Sequence, residues 1–248
     1  MTSRETAVAD EIEEAAGIML VEREALVRRI PGLLDGLGDE DRKRLLSIGQ
    51  KRAFELEQPL FRQGDAHQGI FLIESGRIRS YYTAPSGREV TLAYWFPGNF
   101  VGAPDMFGGG AHMWGSSAVQ RSATIFLPGT ELRKLALGSA SIAVALLDAL
   151  SFKARCYSAM AQMLGTRSAT ERLENLLVFL ATVYGLKEGK SIVIAASFTH
   201  ADLASLIGST RQWVTVQLTR LQERGIVRYN RGLIIIREPA ALGLNDRA

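Results

Sequence analysis

The stretch that decides the fold is Phe198–Arg237, FTHADLASLIGSTRQWVTVQLTRLQERGIVRYNRGLIIIR. Thr199 can cap a helix over ADLASLI by accepting a backbone N–H bond. Gly208 breaks the period, and Ser209 or Thr210 can cap a second helix. In that second helix Val214, Leu218 and Leu221 repeat at spacings of four and three, which predicts a buried stripe. Arg211, Gln212 and Thr215 lie near its start and off the stripe. Two short helices joined by a Gly turn, with polar side chains early on the second, describe a helix-turn-helix. Two β-branched runs follow, Ile226–Tyr229 and Leu233–Arg237, around Asn230-Arg231-Gly232, a hairpin signal that supplies a wing. Such a unit reads double-stranded DNA.

Working outward, the charge distribution agrees. The 248-residue chain has a net charge of +3. From Gly165 onward there are 11 Lys and Arg against 7 Asp and Glu, while the remainder is almost balanced. A basic carboxy-terminal third suits a nucleic-acid partner. With 47% hydrophobic and 22% charged residues, the composition is that of a folded globular protein. A single cysteine excludes an internal disulfide framework and an iron–sulfur cluster ligated by this chain alone. The acidic amino terminus, MTSRETAVADEIEEAAG, does not read as a signal peptide, and no apolar run approaches the ~20 residues of a membrane span. These features predict a cytoplasmic protein without a membrane partner.

Upstream of the DNA-reading stretch the chain changes texture twice. Residues 1–25 read as a flexible extension. DEDRKRLLSIG predicts a short helix capped by Asp39. Between Lys51 and Leu127, short apolar runs alternate with Gly, Pro and Asp, predicting an antiparallel β-barrel or jelly roll. Ala84-Pro85-Ser86-Gly87 marks a hairpin turn, and LKEGKS a polar loop before a strand at Ile192–Ala195. From Ser139 to Leu164 the period is helical. Ala143, Leu147, Leu150, Ala154, Tyr157, Ala161 and Leu164 form one heptad seam. A second, Ile142, Leu146, Ala149, Cys156, Met160 and Met163, runs beside it and is interrupted at Lys153. One seam can cover the β-domain while the other meets a partner helix, with a hinge at Gly165–Ser168. The fold class is therefore α+β: an effector-sensing β-domain over 26–138, a dimerisation helix and hinge over 139–168, and a winged helix-turn-helix domain over 169–248.

This order of elements resembles the Crp/Fnr family of bacterial transcription regulators over about residues 35–238. The carriers are FRQGDAHQGIFLIESGRI, PGNFVG and GSTRQWVTVQLTRLQERGIV. The resemblance implies a homodimer on a palindromic site, RNA polymerase as a further partner, and a small effector in the β-domain. It also locates the effector region near Phe100, Gly102, Ala103, Met113, Trp114, Ser116, Ser117, Tyr157 and Ser158. Members that bind cyclic nucleotides carry a Glu shortly after PGxFxG and an Arg-Ser pair further on. This chain has Ala103-Pro104 and HMWGSS there, which disfavours cyclic AMP, since a buried phosphate needs a cationic or amide partner.

Trp95, Phe96, Phe100, Phe107, Met113 and Trp114 instead suggest an apolar effector or plain core filling. His67 and His112 read as solvated loop residues, and haem is not expected. Cys156 reads as a packing residue. By the resemblance Arg211 reads guanine. Gln212 stands where the best-known members have Glu and is assigned to adenine or a phosphate, and Thr215 lies near a thymine methyl. Thr199, Thr210 and Arg231 are assigned to phosphates. No catalytic residues or metal ligands stand out, and only three histidines are available for a metal-dependent enzyme on the β-domain. A DNA-binding protein with a ligand-free β-domain is the alternative to an effector-controlled regulator.

Overall fold

The computed structural model describes residues 32–194, 198–230 and 232–244. The expected extension over 1–25, and Arg231 in the wing turn, lie outside the described residues. The chain divides into two compact units, one ending at Ser158 and one beginning at Ala159.

The first unit opens with helix α1 (Asp39–Ser47). Asp39 is its first helical residue, not its cap; Gly38 holds the cap position without a side-chain hydrogen bond. Eight strands follow: β1 (Gln50–Phe54), β2 (Pro59–Phe61), β3 (Gly69–Ser75), β4 (Ile78–Thr83), β5 (Glu89–Trp95), β6 (Phe100–Val101), β7 (Gly115–Ala118) and β8 (Ser122–Pro128). They form two four-stranded sheets, ordered β1-β8-β3-β6 and β2-β7-β4-β5, with every pair antiparallel. The sheets are not joined edge to edge, so the jelly-roll half of the expectation holds and a closed barrel does not form.

Strand β3, GIFLIES, shows why the sheets face as they do. Its first five residues are all buried, and successive side chains point to opposite faces. Phe71 and Ile73 join Phe126, Trp95 and Ile78 between the sheets. Ile70 and Leu72 join Leu127, Leu132, Ile142 and Leu146 in a second core, where helices cover the outer face. Those helices are α2 (Gly129–Gly138) and the amino-terminal part of α3 (Ala140–Thr166), a helix of 27 residues. The boundary between the two units falls inside α3. The helix runs through Gly165, leaving only Arg167 and Ser168 between it and the next.

The second unit contains α4 (Ala169–Tyr184), which starts with a capping box. Ser168 accepts from Glu171 N–H, and the Glu171 carboxylate accepts from Ser168 N–H. LKEGKS is not a loop. Strand β9 (Gly185–Glu188) turns at Gly189 and pairs with β10 (Ser191–Ile194). Helices α5 (His200–Leu206) and α6 (Arg211–Glu223), strands β11 (Val227–Asn230) and β12 (Leu233–Ile236) and a final 3-10 turn (Pro239–Leu242) follow, with sheet order β11-β12-β10-β9.

Candidate DNA interface and effector region

Helix α6 buries Val214, Leu218 and Leu221 and turns Arg211, Gln212, Thr215 and Val216 outward. The buried stripe drives this choice, because three large apolar side chains on one face seek a core. Gly208, at φ 61°, makes the left-handed turn between α5 and α6. Both helices are capped by the residues expected. Thr199 forms a capping box with Asp202, and Thr210 accepts from Trp213 N–H at 3.2 Å.

The hydroxyl of Thr215 is engaged inside the unit. It donates to the Arg211 carbonyl at 2.9 Å and lies 2.7 Å from His200 Nδ1. The Thr215 proton is thereby spent, so His200 Nδ1 carries the hydrogen of that contact. The His200 ring packs against Tyr229 at 4.4 Å between centroids, and the Tyr229 hydroxyl donates to the Phe198 carbonyl at 3.1 Å. One imidazole therefore ties α5, α6 and the first wing strand together. Burial, and secondarily the Arg211 charge, lower its pKa. Sequence reasoning missed His200, whose only signal was a position in the first turn of α5.

In the β-domain, part of the predicted effector set comes together. Trp114 meets Tyr157 at 5.5 Å between centroids, and Tyr157 meets Trp95 at 6.1 Å. Trp95 Nε1 donates to Ser80 Oγ at 3.1 Å, and Ser80 and Ser116 share a hydrogen bond of 2.8 Å. Burial raises the Tyr157 hydroxyl above the ordinary tyrosine range. Ser117 sits in β7 between β2 and β4. Gly102 has φ 105°, and an added Cβ would lie 2.9 Å from the Gly69 carbonyl oxygen, so the PGNFVG turn requires glycine there. Ala103 is buried and joined to Pro104 by a cis peptide bond. Phe100 belongs to the core beneath the helices. Met113 is 59% exposed, and Ser158 and Phe107 are exposed as well, so these three do not join the cluster. Trp95, Phe96 and Phe100 fill the core.

The histidines differ from expectation. His67 and His112 are buried, with ring centroids 4.1 Å apart, and His112 stacks on Phe61 at 3.7 Å. The cause is a loop that folds back, with His112 N–H bonded to the Asp65 carbonyl and Gly64 N–H to the His112 carbonyl, both at 2.8 Å. His67 Nε2 also bonds the Gly102 carbonyl. Burial, then the neighbouring His67, push the His112 pKa down to about 4. Cys156 is buried, and burial pushes its thiol up to about 11, which suits a packing residue.

A β-sandwich with a polar-lined aromatic cluster, followed by a winged helix-turn-helix, defines a DNA-binding regulator with a sensor-type domain. Residues 51–138 match the profile of the cyclic nucleotide-binding domain, and residues 171–243 that of the Crp-like helix-turn-helix domain. The chain is 29% identical to the cyclic AMP receptor protein of Thermus thermophilus, over 85% of this chain and 94% of that one. It is 27% identical to the regulatory protein HlyX of Actinobacillus pleuropneumoniae, over 73% and 75%. Among solved structures, the fold is similar to the c-di-GMP-responsive regulator CLP of Xanthomonas campestris, with a TM-score of 0.72, 19% identity, and 80% and 99% of the two chains covered. FixK2 of Bradyrhizobium japonicum gives 0.61, 20% identity, and 81% and 98%. The chain belongs to the Crp/Fnr family of transcription regulators. Among the described residues, no helix is long and apolar enough to cross a membrane.

Proposed function

We propose that the chain acts as a homodimer on a palindromic DNA site, under the control of a small effector other than cyclic AMP, with RNA polymerase as its further partner. The observation that carries this reading is the outward face of α3. The seam holding Ile142, Leu146, Cys156, Met160 and Met163 is buried, whereas Leu147 on the other seam is 61% exposed and the adjacent Val144 54%. A long helix with one apolar seam covered and a bare apolar patch at Val144 and Leu147 suits pairing with its own copy, while Leu150 and Tyr157 of the second seam pack inward. Each copy then presents one α6, with Arg211 toward guanine, Gln212 toward adenine or a phosphate, and Thr215 near a thymine methyl. Thr199, Thr210 and Arg231 hold phosphates. The short Arg167-Ser168 joint serves as the hinge.

Against cyclic AMP stand Ala103 and the exposed Met113, whose side chains offer no partner to a phosphate or ribose. The effector region accordingly centres on Trp114, Ser116 and Tyr157, with Gly102, Ala103 and Ser117 as its further candidates; Phe100 and Ser158 drop out of it. The test is selection of binding sites from random DNA by wild type and by Arg211→Ala. A palindromic wild-type consensus that loses its guanine preference in the variant is expected. An identical consensus for both overturns the Arg211 assignment.

A further inference from the structure

Thr215 is exposed on the outward face of α6, yet its hydroxyl is committed within the unit. It donates to the Arg211 carbonyl at 2.9 Å and accepts from His200 Nδ1 at 2.7 Å. A threonine inside a helix divides between two χ1 rotamers, because its hydroxyl can bond a carbonyl three or four residues back. The His200 contact decides between them here, since only a hydroxyl aimed toward α5 meets the imidazole. The Cγ2 methyl then takes the other branch of Cβ. His200 is held in its turn. Its ring packs on Tyr229 at 4.4 Å between centroids. Tyr229 is fixed by its hydroxyl, which donates to the Phe198 carbonyl at 3.1 Å, and by its N–H, which donates to Gln222 Oε1 at 2.9 Å. His200 Nε2 is buried and has no hydrogen-bond partner among the described residues. A buried nitrogen left bare costs stability. Leucine would pack there without that cost, so the contact that distinguishes histidine is the one Nδ1 makes to Thr215.

We infer that His200 determines base specificity without touching a base: it positions Thr215 so that a methyl, not a hydroxyl, faces the duplex and selects thymine. An outward hydroxyl can donate or accept and so suits several base edges, whereas a methyl finds its match in the thymine methyl. This role rests on the proposed contact between Thr215 and thymine, and it supplies what holds that contact in place. It also gives the first helix of the reading head a share in the sequence read by the second.

The test uses the full chain and the DNA consensus it selects, with deoxyuridine replacing thymidine at one position of each half-site at a time. The two nucleosides' bases differ only by the methyl. At one position wild type should bind the deoxyuridine duplex about fourfold more weakly per half-site, the worth of one buried methyl group. Thr215→Ser, which keeps the hydroxyl and deletes its methyl, should lose that penalty. His200→Leu should reduce it to less than about twofold. His200→Asn, whose amide donates from nearly the place of Nδ1, should retain it. Thr215→Val presents a methyl in either rotamer, and should restore the penalty in the His200→Leu background. Such restoration separates positioning from damage to the fold. A penalty that His200→Leu retains, or that the His200→Leu, Thr215→Val pair lacks, overturns the role of His200 and leaves the thymine contact standing. Wild type indifferent to deoxyuridine at every position, or a penalty that Thr215→Ser retains, overturns both. A palindromic consensus in that case still leaves the regulator standing.

Discussion

At the scale of single residues, the most consequential placements are polar side chains put where apolar ones are expected. His112 is one, and its effect is measurable as a function of acidity. Its folded pKa, about 4, lies below the ordinary 6.5, so the unfolded chain binds the proton more readily. Stability that is complete above about pH 6.5 is therefore lost as pH falls toward about 4. Urea midpoints at pH 7, 6 and 5 should decline in wild type, and the decline should be shallower in His112→Gln. An unchanged slope would mean that His112 is not the proton acceptor. Thr199 offers a second test at this scale. Thr199→Ala removes a hydroxyl that bonds Asp202, and should cost about 1 kcal/mol of stability. Thermal denaturation of the purified chain checks it.

Among elements, α3 carries a bare apolar patch at Val144 and Leu147 that can be spoiled without touching the core. Leu147→Asp should leave the circular dichroism spectrum unchanged while light scattering reports half the wild-type mass, because a charge would sit in the proposed pairing surface. The seams were legible in the sequence because a heptad period survives wherever a helix lies on a core. Lys153 was legible too, as an interruption at the position where the inner seam needs a residue, though nothing in the period said that the amine stays buried. Strand β9 was not legible. Leu186, Lys187 and Glu188 lack alternation, and they form a strand because β10 offers an edge to pair with. The buried His67–His112 contact was hidden for a related reason. It depends on backbone bonds between two loops far apart in sequence, and such closure leaves no periodic trace. The absence of barrel closure was hidden as well, since strand count and turn spacing are alike for a sandwich and a barrel.

For the molecule as a whole, the proposed pairing through α3 would set two copies of α6 against one duplex. Hydroxyl-radical footprinting should then show two protected tracts about one helical turn, roughly 34 Å, apart. Binding should weaken steeply as salt is raised, through release of counterions from the phosphates. A single protected tract would contradict the paired arrangement. The positions of the three tryptophans make such events visible without labels. Trp95 faces the Lys153 amine, Trp114 packs on Tyr157, and Trp213 sits half-buried in the first turn of α6. Replacing two at a time with Phe would leave one native fluorophore beside Lys153, at the aromatic cluster, or beside the DNA-reading face. The chain thus carries three optical gauges, each at a different station between signal and promoter.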